Sequence, residues 1–171
     1  LVLPPRIAPY KVIIIPIGND ENVDSATSKL SKELKEMNIT YKIDNSNKTP
    51  GFKFSEAEVK GYPIRIEVGK RDLSNNTVTI VRRDTLEKET VTLDEAIIKV
   101  NELLVNIQND MYKRALDRRD SMVYNADTYE EMTNISKTKP GFIYTNWCGN
   151  ESCENKIKED LGLKSRCIPF E

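Results

Sequence analysis

The densest group of chemically active side chains lies in the segment from Pro50 to Asp72. An unpaired guanine presents two hydrogen-bond donors on its Watson–Crick edge, which one carboxylate can accept together, and the acceptors O6 and N7, which Arg or Lys can meet. Carboxylates combined with arginine therefore suit an unpaired guanine, whereas phosphate binding alone would call for cations alone. The competing interpretation is a solvated face with surface ion pairs. The segment interleaves carboxylates with cations: Glu56, Glu58, Glu67, Asp72, Lys53, Lys60, Arg65, Lys70 and Arg71.

Cysteine forms the second group, because Cys148, Cys153 and Cys167 all lie near the C-terminal end. An odd number of cysteines favours a metal site or free thiols over a disulfide framework, and a reducing compartment. Four residues separate Cys148 from Cys153, at the outer end of the spacing of zinc half-sites. A structural zinc site takes four ligands. The sequence has no histidine, so we predict Cys148 and Cys153 as zinc ligands in an incomplete site.

The overall composition excludes several classes of function. Without histidine, Ser–His and Cys–His nucleophiles are excluded. The apolar run Val12–Ile17 is far shorter than the roughly 20 residues of a membrane span. The 26 basic and 27 acidic side chains give a net charge of -1, so nucleic-acid binding would need a local patch. The chain starts at Leu1 rather than Met, and we expect a piece of a longer polypeptide.

Hydrophobic periodicity in the first part of the chain predicts a βαβ unit. Tyr10–Ile17 is typical of a buried strand, residues 22–37 carry an apolar stripe of helical period, and Ile39–Ile43 alternates as a second strand. A crossover helix between two strands predicts that the strands are parallel.

The pattern that follows predicts a helix, three strands and a long helix. Residues 54–60 fit about two helical turns, and turn signals separate strands over residues 63–68, 77–81 and 89–92 that form antiparallel hairpins. Thr92 and Glu95 have the spacing of a capping box that opens a helix from Leu93 to about Asp117. The predicted fold is α/β, a five-stranded mixed sheet with three flanking helices.

The pattern changes after Arg119. Thr128–Ile135 indicates a weaker helix, Lys137–Gly141 a break, and the cysteine segment begins at Trp147. We predict a domain boundary near residue 120, with one domain at 1–120 and a second, smaller one at 121–171.

Three segments together resemble a known family. LPPRIAPYKVIIIPI, PGFKFSEAEVKGYPIRIEVGKRD and WCGNESCENKIKEDLGLKSRCIPF are similar, in that order, to the C-terminal half of prolyl-tRNA synthetases of the archaeal and eukaryote-like type. The resemblance runs from Leu3 to Phe170. The pattern GxPxRxExGxRD is shared among related class II synthetases, and the WCG and CIPF segments make the resemblance specific for the prolyl enzymes.

The resemblance implies an α/β anticodon-binding domain followed by a small α+β zinc-binding-like domain, truncated here. The catalytic domain, which uses ATP and magnesium, would lie upstream, so this chain would carry no catalytic residues. The parent would be a cytoplasmic proline–tRNA ligase, homodimeric through that domain, whose partner is proline tRNA rather than DNA or a membrane. A protein-interaction or regulatory domain that kept the fold without RNA binding is the alternative function.

The resemblance also implies roles for individual residues. Glu58, Arg65 and Asp72 match positions that face the anticodon bases, and Lys88 matches a further base contact in a hairpin of variable length. Proline anticodons end in two guanines, so we assign Glu58 and Asp72 to guanine donor edges and Arg65 to an acceptor edge or a neighbouring phosphate. The competing role for Arg65 is a structural ion pair with Glu67 or Asp72. Further phosphate contacts are predicted for Lys53 and Arg71.

The family pattern bears on the zinc site as well. In the family, the other two ligands generally come from a cysteine pair downstream of the CIPF segment, so the resemblance implies either that the site is truncated here or that this protein has lost its zinc. Cys167 is then expected to be a buried non-ligand, or else a third ligand with water in the fourth place.

Overall fold

A computed structural model of the chain describes residues 1–168. The chain divides into two compact units, one from Leu1 to Lys113 and one that begins at Arg114. This division falls within a helix that ends at Asp120.

The first unit contains a five-stranded mixed sheet, which confirms the predicted α/β fold. The strands lie in the order β2-β1-β3-β4-β5. The central strand β1 runs parallel to β2 and β3, as the βαβ pattern predicts, and β3, β4 and β5 pair antiparallel. The strand bounds are β1 Val12–Ile17, β2 Tyr41–Ile43, β3 Ile64–Gly69, β4 Thr77–Arg82 and β5 Lys88–Thr92.

Four helices accompany this sheet, one more than predicted. They are α1 Glu21–Glu36, α2 Pro50–Lys60, α3 Lys70–Leu73 and α4 Ala96–Asp120. Helix α2 begins at Pro50 rather than Phe54, because proline at the first helical position already has helical φ and lacks only an amide that would find no partner there. It ends at Gly61, whose φ of 77° is left-handed.

Helix α4 begins three residues later than predicted, because the Thr92–Glu95 capping box does not form. The Thr92 hydroxyl donates to the Glu95 carboxylate at 2.7 Å instead of accepting the Glu95 amide. That amide donates to the Thr92 carbonyl at 3.2 Å. The two residues therefore close a turn, and the helix starts at Ala96.

Alternation along the strands gives the sheet two different faces. One face buries the apolar side chains of β1, β3 and β4 against α1 and α4, and these form the main core. The opposite face carries a smaller cluster in which Ile13 and Ile15 pack with Ala57 of α2 and Tyr62. The register places Arg65 beside Ile13 and Glu67 beside Ile15. Charged side chains of β3 therefore adjoin the edge of this smaller cluster.

The described part of the second unit contains a parallel two-stranded sheet and two helices, in the order β-α-β-α. Its elements are β6 Val123–Ala126, α5 Tyr129–Thr138, β7 Phe142–Thr145 and α6 Glu151–Leu161. Helix α5 has a complete capping box between Thr128 and Glu131 and extends to Thr138, so the predicted break at Lys137–Gly141 begins later than expected. The strands and α6 were not predicted.

Candidate nucleic-acid interface

Most of the side chains predicted to bind RNA come together on the α2 side of the sheet. Strand β3 supplies Arg65 and Glu67, helix α2 supplies Glu58, α3 supplies Asp72 and β5 supplies Lys88. In the strand register, Arg65 pairs with Val81 of β4, and Val81 pairs with Lys88. Glu67 pairs with Thr79 of β4. We call the set Glu58, Arg65, Glu67, Asp72 and Lys88 the charged face.

Arg65 lies at the centre of the charged face and is only 6% exposed. Its Nη1 is 3.2 Å from Glu58 Oε1 and also donates to the Phe54 carbonyl at 3.4 Å. Its Nε and Nη2 lie 3.0 and 2.9 Å from Glu67 Oε1. The guanidinium carbon stands 4.5 Å from the centre of the Phe54 ring, in cation–π distance. Arg65 is therefore held on both edges and on one face.

Glu58 and Glu67 differ in how open they are to a ligand. The Glu58 side chain is 38% exposed, whereas that of Glu67 is 10% exposed. Arg65 therefore pairs with two carboxylates, and of these Glu58 is the one open to further hydrogen bonds from outside. The competing ion-pair role for Arg65 is thus partly realised, with Glu67 and Glu58 as its partners.

Asp72 and Lys88 complete the charged face from opposite sides. Asp72 lies in the short helix directly after β3, and its Oδ2 accepts from the Thr79 hydroxyl at 3.5 Å. The Lys88 ammonium is 3.7 Å from Glu67 Oε1 and 5.9 Å from the centre of the Phe54 ring. With 56% of its side chain exposed, Lys88 can meet a ligand without rearrangement.

The two residues predicted as phosphate contacts differ sharply. Lys53 is only 7% exposed, and its ammonium donates to the Asp44 carbonyl at 2.9 Å. This burial argues against the predicted phosphate contact, because Lys53 already ties α2 to the loop after β2. Arg71, in contrast, is exposed on α3.

Another ionised carboxylate lies beside this face on α2. Glu56 Oε2 and Oε1 contact the ammonium groups of Lys48 at 2.8 Å and Lys60 at 2.7 Å. These hydrogen bonds lower the pKa of Glu56 to about 2. Glu56 is therefore charged at neutral pH, and its charge is matched by local partners rather than offered to a ligand.

Glu67 was not among the residues assigned to RNA binding. The sequence did indicate its position, because residues i and i+2 of a strand project from the same face. Glu67 therefore had to lie beside Arg65. The sequence could not indicate that Glu67 also approaches Lys88, since that depends on the register of three strands.

The predicted zinc ligands lie in the second unit, where all three cysteines are exposed. The expectation that Cys167 is buried was wrong, because the segment after α6 lies open to solvent. A hydrogen bond from Cys153 lowers the pKa of the Cys148 thiol, and the same contact raises the pKa of Cys153. The two thiols are therefore close together.

These residues do not fit a complete zinc site. Across residues 1–168, no group of three or more His, Cys, Asp or Glu side chains is arranged to hold a metal ion. Cys148 and Cys153 amount to half of a tetrahedral set of ligands.

The same described part of the chain has no helix that could span a membrane.

Comparison with known proteins agrees with this geometry. A family model described as "Anticodon binding domain" matches residues 11–103, and one described as "Prolyl-tRNA synthetase, C-terminal" matches residues 129–171. The chain belongs to the anticodon-binding domain family, and the resemblance noted in its sequence is confirmed.

Its relatives are ligases of considerably greater length. A proline–tRNA ligase of Clostridium novyi (strain NT) is 48% identical over 172 residues, which cover 100% of this chain and 36% of the relative. The proline–tRNA ligase 2 of Bacillus thuringiensis (strain Al Hakam) is 44% identical with the same coverage. The chain thus spans about 36% of the length of these curated relatives.

Solved structures show the same fold. The prolyl-tRNA synthetase of Cryptosporidium parvum complexed with L-proline and AMP aligns with a TM-score of 0.92 at 35% identity, over 100% of this chain and 38% of that one. The same enzyme complexed with halofuginone and AMPPNP gives 0.92 at 36% identity, over 100% of this chain and 36% of that one.

Proposed function

We propose that this chain recognises the anticodon loop of proline tRNA as part of a proline–tRNA ligase. The observation that carries the proposal is the charged face. Two partly exposed carboxylates, Glu58 and Asp72, share one sheet face with the exposed cation of Lys88. Purely electrostatic capture of a phosphate backbone would have no use for those carboxylates.

Each carboxylate has a matching edge on a guanine. An unpaired guanine offers N1–H and N2–H side by side, and a carboxylate accepts both. We assign one guanine to Glu58 and the other to Asp72. Lys88 then meets an O6 or N7 acceptor, and Arg71 a backbone phosphate.

The structure changes the role proposed for Arg65. Its guanidinium is buried and bound to Glu58 and Glu67, so direct contact with a base would require it to leave a carboxylate. Orienting the Glu58 carboxylate towards the base is the role that requires no rearrangement. The phosphate contact of Lys53 is not carried forward, because that ammonium is buried.

The domain boundaries are a further proposal. We propose that residues 1–120 form the anticodon-binding domain and residues 121–171 the C-terminal domain. In support, the two family models match inside these ranges, and the compact units divide close to the same point.

The remaining proposals concern the parent protein. It would join L-proline to tRNA with ATP and magnesium, through a catalytic domain outside this chain, and would act in the cytoplasm as a homodimer. Relatives that bear the name proline–tRNA ligase support the activity, and the neighbour complexed with L-proline and AMP supports the substrates. Cys148 and Cys153 would supply half of a structural zinc site, completed by residues outside the described part.

The test measures binding of proline tRNA transcripts in which each anticodon guanine is changed singly to adenine, which lacks the paired donors. We expect each change to weaken binding by about 1 to 3 kcal/mol. Glu58→Gln should abolish the preference at one position and Asp72→Asn at the other. Charging by the full-length ligase should show the same pattern.

Glu89→Gln is the matched control. It removes the same charge, but Glu89 lies on the opposite sheet face and pairs with Lys99 at 3.0 Å. A control that loses selectivity as much as Glu58→Gln contradicts the proposal. So does a wild-type protein that binds all transcripts equally with an affinity set only by salt.

A further inference from the structure

Glu67 lies in the charged face but is unsuited to contact a base. The residue is 8% exposed, and its Oε1 accepts a hydrogen bond from Nε of Arg65 and lies 2.9 Å from Nη2. The same oxygen is 3.7 Å from the ammonium of Lys88. One carboxylate oxygen is thus shared by two cations, one on β3 and one on β5.

The strand register explains why Glu67 can join these cations. Arg65 pairs with Val81, and Val81 pairs with Lys88, so the two cations lie in one row across the sheet. Glu67 lies two residues along β3 from Arg65 and reaches diagonally across β4 to Lys88. Without its charge, the two cations would repel each other across that row.

The Phe54 ring of α2 contacts the same two cations. Arg65 and Lys88 both lie in cation–π distance of this ring, at 4.5 and 5.9 Å from its centre. The ring attracts both cations, but it does not fix their direction. Glu67 supplies that direction, because hydrogen bonds to a charged group are strong and oriented.

We propose that Glu67 is a positioning residue that fixes Arg65 and Lys88 relative to each other, and that guanine selectivity depends on it. Through Arg65 it orients the Glu58 carboxylate, and directly it places the Lys88 ammonium. The inference rests on the proposed recognition of anticodon guanines and adds a residue that acts without touching the RNA. Loss of the Glu67 charge should therefore lower guanine selectivity without lowering the overall affinity for RNA, since a buried carboxylate contributes nothing attractive to a polyanion.

Glu67→Gln tests this, because the amide oxygen still accepts from Arg65 while the charge that holds Lys88 is lost. The measurement is the ratio of affinities for the proline tRNA transcript and its guanine-to-adenine variants. We expect the ratio to fall about tenfold. Affinity for an unrelated single-stranded RNA should stay unchanged or rise, because one negative charge is removed.

A second variant, Lys88→Met, tests whether Glu67 acts through Lys88. Lys88→Met should lower the ratio, and the double variant Glu67→Gln/Lys88→Met should lower it no further than Lys88→Met alone, because Glu67→Gln keeps the acceptor for Arg65 and removes only the charge that places Lys88. Glu89→Gln serves as the control for the charge change. Thermal unfolding of each variant shows whether a loss of selectivity merely follows a loss of folded protein.

The outcomes separate the two proposals. A wild-type protein that prefers guanine and a Glu67→Gln variant with the same preference overturn the positioning role alone. Additive losses in the double variant overturn it too, as does an equal loss of affinity for every RNA. A wild-type protein with no guanine preference overturns the proposed function, and the role of Glu67 with it.

Discussion

The two units of the chain are stabilised in different ways. In the first unit, side chains such as Ile14, Ile66 and Leu30 are fully buried in a continuous core. In the described part of the second unit, Ala126 and Met132 are the only buried residues. The aromatic side chains of Phe142, Tyr144 and Trp147, by contrast, are more than half exposed. The charged face lies on the well-packed unit, where strand register can hold its carboxylates in place.

The second unit relies instead on local hydrogen bonds. Helix α5 has a capping box, α6 is capped by Asn150, and Tyr129 donates to Asp160 at 2.7 Å. Such contacts define secondary structure but add little stability, because water competes for exposed partners. A structural metal is one way in which such small units gain stability. The zinc half-site proposed at Cys148 and Cys153 would meet that need.

The largest expected effect is the loss of a core side chain in the first unit. Ile14 lies in the central strand β1 and is 0% exposed, so Ile14→Ala removes buried surface and leaves a cavity. We expect the free energy of unfolding of this unit to fall by about 2 to 5 kcal/mol, measured by urea titration. Ile98→Ala is the matched control, because Ile98 is 70% exposed on α4. Equal losses in the two variants would refute the assigned core.

The next largest effect is a difference in amide hydrogen exchange between the two units. The backbone amide hydrogens of β1 and β3 can exchange with solvent only when the main core unfolds. Those of β6 and β7 lie in a sheet of two strands with few buried neighbours, so a local opening is enough. We expect β6 and β7 to exchange with solvent at least about a hundredfold faster, measured by NMR on the intact chain. Similar rates in both sheets would show that the second unit is not the weaker one.

The contrast between the units also governs what the sequence could predict. Strand β1, helix α1 and their parallel connection followed from apolar periodicity, because the core imposes that periodicity. Strands β6 and β7 were not predicted, since short and largely exposed strands carry no such pattern. Helix α3 was missed as well, because it follows β3 with no intervening turn residues.

For the site, the sequence indicated the residue types but not the partners. The charged segment and the family pattern predicted Glu58, Arg65 and Asp72 as RNA contacts. That Arg65 is buried between Glu58 and Glu67 depends on how α2 packs against β3, and the burial of Lys53 depends on the loop that contains Asp44. Such contacts between separate elements leave no mark in local periodicity.

A smaller effect is expected from the helix cap in the second unit. The Thr128 hydroxyl accepts the Glu131 amide at 3.2 Å, so Thr128→Ala leaves that amide without its cap. We expect a loss of about 1 kcal/mol, seen as faster amide exchange at the start of α5. Thr138→Ala, at the other end of α5, removes a hydroxyl that donates to Asn134 and should change stability by less than about 0.5 kcal/mol. If Thr128→Ala left exchange unchanged, local capping would not be what maintains this unit.

The smallest effect concerns acid stability of the first unit. Glu56 has a pKa of about 2 in the folded chain, below its ordinary value of 4.5, because Lys48 and Lys60 bind its carboxylate. A folded-state pKa below the unfolded one stabilises the fold when the group is ionised. This contribution is therefore fully present above about pH 4.5 and is lost as the pH falls towards 2.

Glu56→Gln should remove that pH dependence from the first unit. The difference in unfolding free energy between wild type and variant should be greatest above pH 4.5 and shrink as the pH falls to 2, in urea titrations at a series of pH values. Because the carboxylate lies near the surface, high salt should screen the ion pairs and reduce the difference. A difference that stays constant over this pH range, or that salt leaves unchanged, would mean that side-chain packing rather than ion pairing explains the role of Glu56.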